Sequence, residues 1–341
     1  MYAKSNPIGA MRVTDEWRRW LAENLIMDNH PQGLFETLVR AGVSVADAQI
    51  EVNAALSSPY IAGAQRLKNR LAKHDWILDN QRRMGHLRSP EVPRIHQMSA
   101  DAFLNDFYTT GLPVVITGMM EDWPARQKWN FDYFKEGFGD KEVQVQFGRN
   151  SDEHYELNKL KHQKTMPFGE YVDLVRNAGR TNDFYMTANN DSQNRVALSG
   201  LWQDIVAVPE YLNPDTPGHG FFWFGPAGTI TPFHHDLTNN FMAQVIGRKR
   251  VLMVPACEVN QMYNHEHCFT HVDGRNIDYE RFPAMRDARV LECTIGPGDI
   301  LFLPVGCWHF VEGLDVSVTV SFTNFRWDNN FTERYPASTA F

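Results

Sequence analysis

Two histidines and one aspartate are spaced so that they could bind a single metal ion. His234 and Asp236 lie two positions apart at the end of a strand-like run, and His309 follows 75 positions after His234. Side chains two positions apart in an extended strand share one side, so His234 and Asp236 can reach one ion while His235 points away. Two imidazoles and a carboxylate leave the opposite face of a metal open, as in non-haem Fe(II) oxygenases, which bind O₂ there. The alternative is a pair of buried histidines with ordinary hydrogen bonds.

The elements that must position these residues are short strands in the second half of the chain. Turn residues separate runs of four to eight residues, a spacing that fits a β-sandwich or barrel. The tight turn Gly296–Asp299 leads toward the strand that carries His309. The strands are predicted at residues 221–224, 229–233, 241–246, 250–254, 300–303 and 316–322. We therefore expect a mainly β fold with helical additions.

The last of these strands alternates between polar and apolar residues. Asp315, Ser317, Thr319, Ser321 and Thr323 fall on one face, and valines and a phenylalanine fall on the other. The apolar face is expected to pack against protein. The hydroxyl face could line a polar interior or lie in solvent, and the alternation alone leaves both open.

The first 90 residues have the pattern of a helical region. Thr14 could cap a first helix, and the stretch from Gln65 to Leu87 predicts the longest one. Its apolar stripe must pack somewhere, so this region could serve in dimerisation or in substrate recognition. Prolines at 90 and 93 predict a boundary. We predict a helical region at 1–90, a β-rich catalytic domain at 91–328 and a C-terminal tail at 329–341. The stripe consists of Leu67, Leu71, Ile77 and Leu78.

Composition excludes several classes of protein. Hydrophobic residues make up 43% of the 341 residues, and no apolar stretch reaches the roughly 20 residues of a membrane span. The first residues lack the apolar segment of a signal peptide, so a cytoplasmic protein is expected. The four cysteines form no C-x-x-C pair and are expected to be free thiols. The net charge of −8 disfavours nucleic acid as a partner and suits a basic peptide better.

Several segments resemble the JmjC/cupin-like 2-oxoglutarate oxygenases, and most closely the asparaginyl-hydroxylase branch of the factor-inhibiting-HIF type. The likeness covers roughly residues 92–326 and leaves the first 90 uncovered. It implies a double-stranded β-helix, or jelly roll, with Fe(II) bound by His234, Asp236 and His309, and with 2-oxoglutarate and O₂ as co-substrates. The resembling segments are Thr231–Asp236, Asn240–Pro255, Asp278–Pro283 and Gly296–Pro304, followed by Trp308–His309.

The same resemblance implies roles for residues that would bind 2-oxoglutarate. Lys249 matches the residue that pairs with the distal carboxylate, and Thr231 and Tyr185 match hydroxyl donors to it. Asn240 matches the contact to the carboxylate next to the metal. Independently of the resemblance, a lysine just after the turn at Ile246 of a buried hairpin needs an anion, although a surface lysine reaching solvent would read the same way.

Two positions depart from the asparaginyl-hydroxylase branch. Ser321 stands where that branch has a second asparagine, and Thr323 stands where it has a tryptophan. We keep Ser321 as a candidate 2-oxoglutarate contact. The departures leave oxygenase chemistry intact, but asparagine as the target residue does not follow.

A second cluster of possible metal ligands lies in the run from His265 to His271. It holds His265, His267, Cys268 and His271 within seven residues. Their order matches neither the H-E-x-x-H motif nor a zinc finger with paired cysteines. A solvated loop, a loop that contacts substrate and a structural zinc site are all compatible with it.

Taken together, the residues predict an Fe(II)- and 2-oxoglutarate-dependent oxygenase. The expected reaction is hydroxylation of a peptide or protein side chain with release of succinate and CO₂, and demethylation would proceed through the same hydroxylation of a methyl group. The alternatives are a hydroxylase of a small molecule or free amino acid and, in another class, a cupin-like protein that binds a metal without turnover. No catalytic residue beyond the metal centre is predicted, and a homodimer is possible.

Overall fold

The computed structural model describes residues 12–188, 191–206, 208–216 and 220–336. The first eleven residues, on which the expectation of no signal peptide rests, lie outside this range, as do the last five residues of the predicted tail. The chain divides into two compact units, Met1–Asn80 and Gln81–Phe341. The functional division predicted at residues 90 and 328 stays a prediction.

Three capped helices build the core of the first unit. They are α1 (Asp15–Ile26), α2 (Pro31–Arg40) and α3 (Val45–Leu56). The side chain of Thr14 accepts a hydrogen bond from a backbone N–H of the first turn of α1, which confirms the predicted cap. Their apolar faces meet in a small cluster formed by Leu21, Leu34, Leu38, Val43, Ala48 and Val52.

The fourth helix is long and has an exposed surface. Helix α4 (Pro59–Gly85) begins earlier than predicted, because a proline is well tolerated at the first helical position, where an N–H has no partner within the helix. None of its residues is buried. Leu67 and Leu71 of the predicted apolar stripe are 62% and 60% exposed. Use of this stripe as a dimerisation surface stays a prediction.

The second unit contains short helices and all the strands of the described chain. The helices are α5 (Ala100–Phe103), α6 (Ala125–Lys128), α7 (Phe131–Phe138), α8 (Lys159–His162), α9 (Phe168–Asn177) and α10 (Asp191–Ala197). The strands are β1 (Arg94–His96), β2 (Val114–Thr117), β3 (Glu142–Phe147), β4 (Gln163–Pro167), β5 (Phe184–Tyr185), β6 (Gly220–Gly225), β7 (Ile230–His235), β8 (Asn240–Ile246), β9 (Lys249–Val254), β10 (Asn264–Glu266), β11 (Phe269–Thr270), β12 (Leu291–Ile295), β13 (Ile300–Leu303), β14 (Trp308–Gly313) and β15 (Ser317–Phe322).

Most of these strands form two six-stranded sheets. One has the order β1-β2-β13-β8-β15-β6 and the other the order β10-β11-β7-β14-β9-β12. Strands distant in sequence are neighbours in both, as in a jelly roll. A smaller sheet, β4-β3-β5, carries Tyr185 on its last strand. The predicted mainly β fold, with a jelly-roll core and an N-terminal helical region, is confirmed.

A register shift in β7 places Thr231 on the same face as His234. Along the antiparallel pair of β7 and β14, His309 lies opposite His234 and Val311 lies opposite Thr231. Between these two pairs β7 advances by three residues and β14 by two, so β7 contains one extra residue, which is a β-bulge. Strict alternation would instead have put Thr231 on the side of His235.

The hydroxyl face of the last strand lies inside the protein. All six residues of β15 are buried. The hydroxyl of Thr319 donates a hydrogen bond of 2.7 Å to the side-chain oxygen of Gln244 on the neighbouring strand β8. The solvent-exposed interpretation of this strand is therefore wrong, and its alternation reflects a polar barrel interior opposite an apolar core.

The predicted turn before β13 is present and depends on a glycine. The side chain of Asp299 accepts a hydrogen bond of 2.7 Å from the N–H of Gly296. Gly298 has a φ of +98°, which residues with a Cβ rarely adopt. This turn leads into β13, and β14 with His309 follows after residues 304–307.

Two of the expectations drawn from composition can be compared with the structure. The four cysteines, which are Cys257, Cys268, Cys293 and Cys307, are free thiols as predicted. In the part of the chain that the structure describes, no helix combines the length and the apolar character needed to cross a membrane. The cytoplasmic location stays a prediction.

Candidate metal centre

His234, Asp236 and His309 meet at the open end of the pair formed by β7 and β14. One ligand atom from each lies within 4.8 Å of the others, and no other group of three such residues does so in the described ranges. The two imidazole rings lie 4.2 Å apart between centres. Asp236 directly follows β7, so its carboxylate faces both histidines, 3.6 Å from Nε2 of His234 and 3.9 Å from Nε2 of His309.

Backbone carbonyls orient both imidazoles. Nδ1 of His234 lies 2.9 Å from the carbonyl oxygen of Pro232, and Nδ1 of His309 lies 3.0 Å from that of Cys307. A proton on each Nδ1 would therefore be donated to a carbonyl, which leaves the lone pair of Nε2 for a metal. This arrangement of donors is the one that protein metal sites use to fix the tautomer of a ligand.

The protonation states of His309 and Asp236 suit metal binding, whereas His234 retains a proton more readily than a free imidazole. Burial disfavours the charged form of His234, but its hydrogen bond with Asp236 outweighs burial and raises its pKa, so a metal must displace that proton. Burial lowers the pKa of His309 to about 4, so its imidazole is neutral at physiological pH. Burial alone would raise the pKa of Asp236, but its hydrogen bond with His234 and the neighbouring His309 lower it, so the carboxylate is charged. Neutral imidazoles and an ionised carboxylate are the forms that bind a divalent cation.

His235 lies on the other side of the strand. Its ring packs against Trp308 with centres 4.7 Å apart, and its Nε2 lies 3.2 Å from the hydroxyl of Tyr335. The structure therefore separates the two adjacent histidines, with His234 toward the ligand group and His235 toward the packing behind it.

The other predicted site residues surround the same cavity, whose volume is about 400 Å³ when its opening to solvent is included. It reaches from the ligand group into the barrel between the two large sheets. All five residues predicted to bind 2-oxoglutarate lie in its wall. The lining consists of Tyr185, Trp223, Thr231, His234, Asp236, Asn240, Met242, Lys249, Leu303, His309, Val311 and Ser321.

Lys249 is the most unusual residue of this cavity. Its side chain is buried, with 2% of the residue exposed, so the interpretation as a surface lysine is wrong. Its Nζ donates a hydrogen bond of 3.0 Å to the hydroxyl of Tyr185. Burial lowers the pKa of Lys249 to about 7. A buried ammonium group normally has an anionic partner, and a carboxylate at this position would supply one.

Asn240 lies next to the ligand group. Its amide nitrogen donates a hydrogen bond of 3.0 Å to Oδ2 of Asp236. Its amide oxygen is buried and has no hydrogen-bond partner among the described residues. A buried acceptor without a donor is costly, so this oxygen is available for a donor on a bound molecule or on water.

Trp223 was missed by the reasoning from sequence. It lies in the cavity wall on β6, and its indole N–H donates a hydrogen bond of 2.8 Å to the hydroxyl of Ser321. This bond uses the Ser321 hydroxyl as an acceptor and leaves its proton free to turn toward the cavity. The signal in the sequence was the alternation in β6, where the buried Phe222 and Phe224 face away from Trp223.

The second cluster of possible metal ligands, in the run from His265 to His271, does not form a metal site. The rings of His265 and His271 stack with centres 3.5 Å apart, while the backbone of His267 contacts the hydroxyl of Tyr335. Cys268 is buried separately. These residues do not assemble as three ligands around one point in the described chain, so the structural zinc interpretation is not supported. Strand β11 of this loop does border the centre, because Phe269 pairs with His234.

The residues present fit a divalent metal together with a dicarboxylic acid. Two nitrogen donors and one carboxylate form a facial set, and the cavity behind them ends at a buried lysine and two hydroxyls. The buried ammonium group at one end of the cavity calls for an anion, while the unpaired amide oxygen of Asn240 near the other end calls for a hydrogen-bond donor such as water.

The chain is similar to a known domain family and to several known proteins. Residues 100–333 match the model of the cupin-like domain family. The lysine-specific demethylase JMJ30 of Arabidopsis thaliana is 32% identical over 253 residues, which is 71% of this chain and 56% of the plant protein. This chain therefore spans little more than half of that relative's length.

Two further relatives align over more of their own length. Lysine-specific demethylase 8 of Danio rerio is 29% identical over 359 positions, which covers 92% of this chain and 83% of the fish protein. tRNA wybutosine-synthesizing protein 5 of Gallus gallus is 27% identical over 261 positions, which covers 73% of this chain and 80% of the bird protein. Since the family model covers more than half of the chain, the protein belongs to the cupin-like/JmjC domain family.

Proposed function

We propose that this protein is an Fe(II)- and 2-oxoglutarate-dependent oxygenase that hydroxylates a peptide or protein side chain. The observation that carries the proposal is the presence, in one cavity, of the three-residue ligand group and the buried Lys249. A protein that only stored or sensed a metal would have no use for a buried cation at the far end of the cavity.

Each polar residue of the cavity has a role in this proposal. His234, Asp236 and His309 would hold Fe(II). Lys249 and the hydroxyls of Tyr185 and Thr231 would bind the distal carboxylate of 2-oxoglutarate. The amide nitrogen of Asn240 would contact the carboxylate next to the metal, and the hydroxyl of Ser321 is a further candidate contact. The bound iron would supply oxidation of a C–H bond, with O₂ and 2-oxoglutarate consumed and succinate and CO₂ released. The apolar Met242, Leu303 and Val311 would keep water from this reaction.

The class of substrate follows from charge and from the relatives. Two of them are named lysine-specific demethylases, and removal of a methyl group from lysine begins with its hydroxylation. The net charge of −8 favours a basic peptide over a nucleic acid, although one relative is named for tRNA modification. Ser321 and Thr323 depart from the asparaginyl-hydroxylase branch, so asparagine is not part of the proposal.

The alternative of a small-molecule hydroxylase uses the same metal centre and the same co-substrate. The two functions differ only in the substrate that reaches the metal centre, which is a peptide in one case and a small molecule in the other. A screen of methylated and unmodified basic peptides beside free amino acids separates the two: a rise in succinate release with a peptide supports the proposal, and a rise only with a free amino acid replaces it with the alternative.

The proposal is tested by succinate release from purified protein with Fe(II), ascorbate and 2-oxoglutarate. We expect slow turnover that disappears in Lys249→Ala and persists in the control Lys135→Ala, because Lys135 pairs with Asp173 on the surface. Calorimetry with Mn(II) and 2-oxoglutarate gives a readout that needs no substrate. Failure of the wild-type protein to bind either one would overturn the oxygenase proposal.

A further inference from the structure

Arg149 is buried beside the end of the cavity where Lys249 lies. It follows β3, and its side chain is fully buried. One guanidinium nitrogen, Nη2, donates hydrogen bonds to the backbone carbonyl of Ile230 at 2.7 Å and to the carboxylate of Glu156 at 3.0 Å. The centre of the guanidinium group lies 4.2 Å from the ring centre of Tyr155 and 5.3 Å from that of Tyr185.

These contacts connect Arg149 to Tyr185 and Thr231, the two residues whose hydroxyls are proposed to bind the distal carboxylate. Ile230 directly precedes Thr231, so fixing its carbonyl fixes the backbone from which the Thr231 side chain projects. The hydroxyl of Tyr155 donates to the same carbonyl at 3.2 Å. On its other side, the guanidinium group faces the ring of Tyr185, whose hydroxyl accepts the hydrogen bond from Lys249. The Arg149 side chain thus contacts two separate strands, β5 through the ring of Tyr185 and β7 through the carbonyl of Ile230.

Packing alone does not account for an arginine at this position. Nε and Nη1 of Arg149 are buried and have no hydrogen-bond partner among the residues described. Buried donors without acceptors destabilise a fold, and an apolar side chain of similar length would avoid that cost. The positive charge and the planar shape, which lets the group lie over aromatic rings, are what an apolar residue would lack.

We propose that Arg149 is a positioning residue that holds the Tyr185 and Thr231 hydroxyls in place for the distal carboxylate of 2-oxoglutarate. This inference rests on the proposed function and adds a determinant of co-substrate affinity behind the cavity wall. Arg149 does not line the cavity, so it acts through the two hydroxyl-bearing residues.

The test is calorimetry of Arg149→Met with Mn(II) and two ligands, 2-oxoglutarate and 2-oxobutyrate. The second ligand has the same keto acid end but lacks the distal carboxylate. We expect the Kd for 2-oxoglutarate to rise about tenfold or more, while the Kd for 2-oxobutyrate stays within about twofold. In turnover, KM for 2-oxoglutarate should rise with little change in kcat. The matched control is Arg176→Met, because Arg176 also pairs with a carboxylate and lies over a ring.

A double variant separates positioning from charge compensation. If Arg149 only neutralises Glu156, Arg149→Met with Glu156→Gln should recover the wild-type Kd for 2-oxoglutarate, and the inference fails. If Arg149 positions the hydroxyls, the Kd stays raised in the double variant. Should Arg149→Met not fold, Arg149→Lys keeps the charge without the planar group, and an unchanged Kd in that variant also overturns the inference. Wild-type protein that binds no 2-oxoglutarate would refute the proposed function itself.

Discussion

The Nζ of Lys249 lies 3.0 Å from the hydroxyl oxygen of Tyr185, and both side chains are buried inside the second unit. The lysine begins β9 of a large sheet and the tyrosine ends β5 of the small sheet. Their contact therefore joins the barrel to the elements that cover it. A carboxylate bound at this position would have the Lys249 ammonium group as its partner.

The affinity for 2-oxoglutarate should fall as the pH rises above about 7. Burial lowers the pKa of Lys249 to about 7 in the free protein, and a bound carboxylate would raise it again. Below that pH the lysine is already charged; above it, binding must take up one proton, so Kd should rise roughly tenfold for each pH unit. Calorimetry in buffers of different ionisation enthalpy measures the proton uptake directly.

The control for this pH dependence is 2-oxobutyrate, which shares the metal-binding end of the molecule. Titration of the ligand group affects both acids equally, so the ratio of the two Kd values reports Lys249 alone. A ratio that stays constant between pH 6 and pH 9 would contradict the role given to the lysine.

Removal of the Tyr185 hydroxyl should weaken co-substrate binding without disturbing the fold. Tyr185→Phe keeps the ring but removes one hydrogen bond of about 1 kcal/mol, so we expect Kd for 2-oxoglutarate to rise about fivefold. The control is Tyr211→Phe, because the buried hydroxyl of Tyr211 donates a hydrogen bond to the backbone carbonyl of Met98, and neither residue lines the cavity. The control variant should lower Tm and leave the Kd for 2-oxoglutarate unchanged. A Kd that rises in the control but stays at the wild-type value in Tyr185→Phe would show that Tyr185 does not bind the co-substrate.

The sequence was sufficient to predict that His234, Asp236 and His309 come together, although only the first two are neighbours in the chain, and their role as metal ligands stays a prediction. His234 and Asp236 share a face through the two-residue period of a strand, and His309 lies on the adjacent strand β14, directly opposite His234. Thr231 could be assigned only by resemblance, since the bulge in β7 that turns it toward the cavity has no signature in the residues themselves. Its function as a ligand contact stays a prediction.

Other features depended on contacts between distant segments. The cation of Arg149 comes within 5.3 Å of Tyr185, which is 36 positions away, through folding that no period reveals. Trp223 looked like one more aromatic residue in an apolar strand. For α4, the helical spacing of apolar residues predicted the helix. It did not predict whether Leu67 and Leu71 would be buried or exposed to solvent.

Replacement of a single ligand should abolish metal binding while the protein stays folded. We expect His234→Ala to lower the affinity for Mn(II) by more than about a hundredfold and to abolish succinate release. The neighbouring variant His235→Ala is the matched control, because His235 faces Trp308 and Tyr335 and should keep the metal. Circular dichroism checks the fold. Complete unfolding of His234→Ala, with His235→Ala intact, would instead indicate a structural metal.

Gly225 gives the last prediction, because it leaves the space that the ring of Tyr185 fills. A Cβ at this position would lie 2.6 Å from Cδ2 of Tyr185 and 2.9 Å from the methyl group of Thr229. Gly225→Ala must therefore displace the tyrosine, at a cost of about 1–3 kcal/mol in stability. Kd for 2-oxoglutarate should rise, while the affinity for Mn(II) stays at the wild-type value because the ligand group is untouched. The matched control is Gly137→Ala, where no atom lies within 4 Å of the added methyl group. If both variants bind 2-oxoglutarate as the wild type does, the position of the Tyr185 ring does not determine co-substrate affinity.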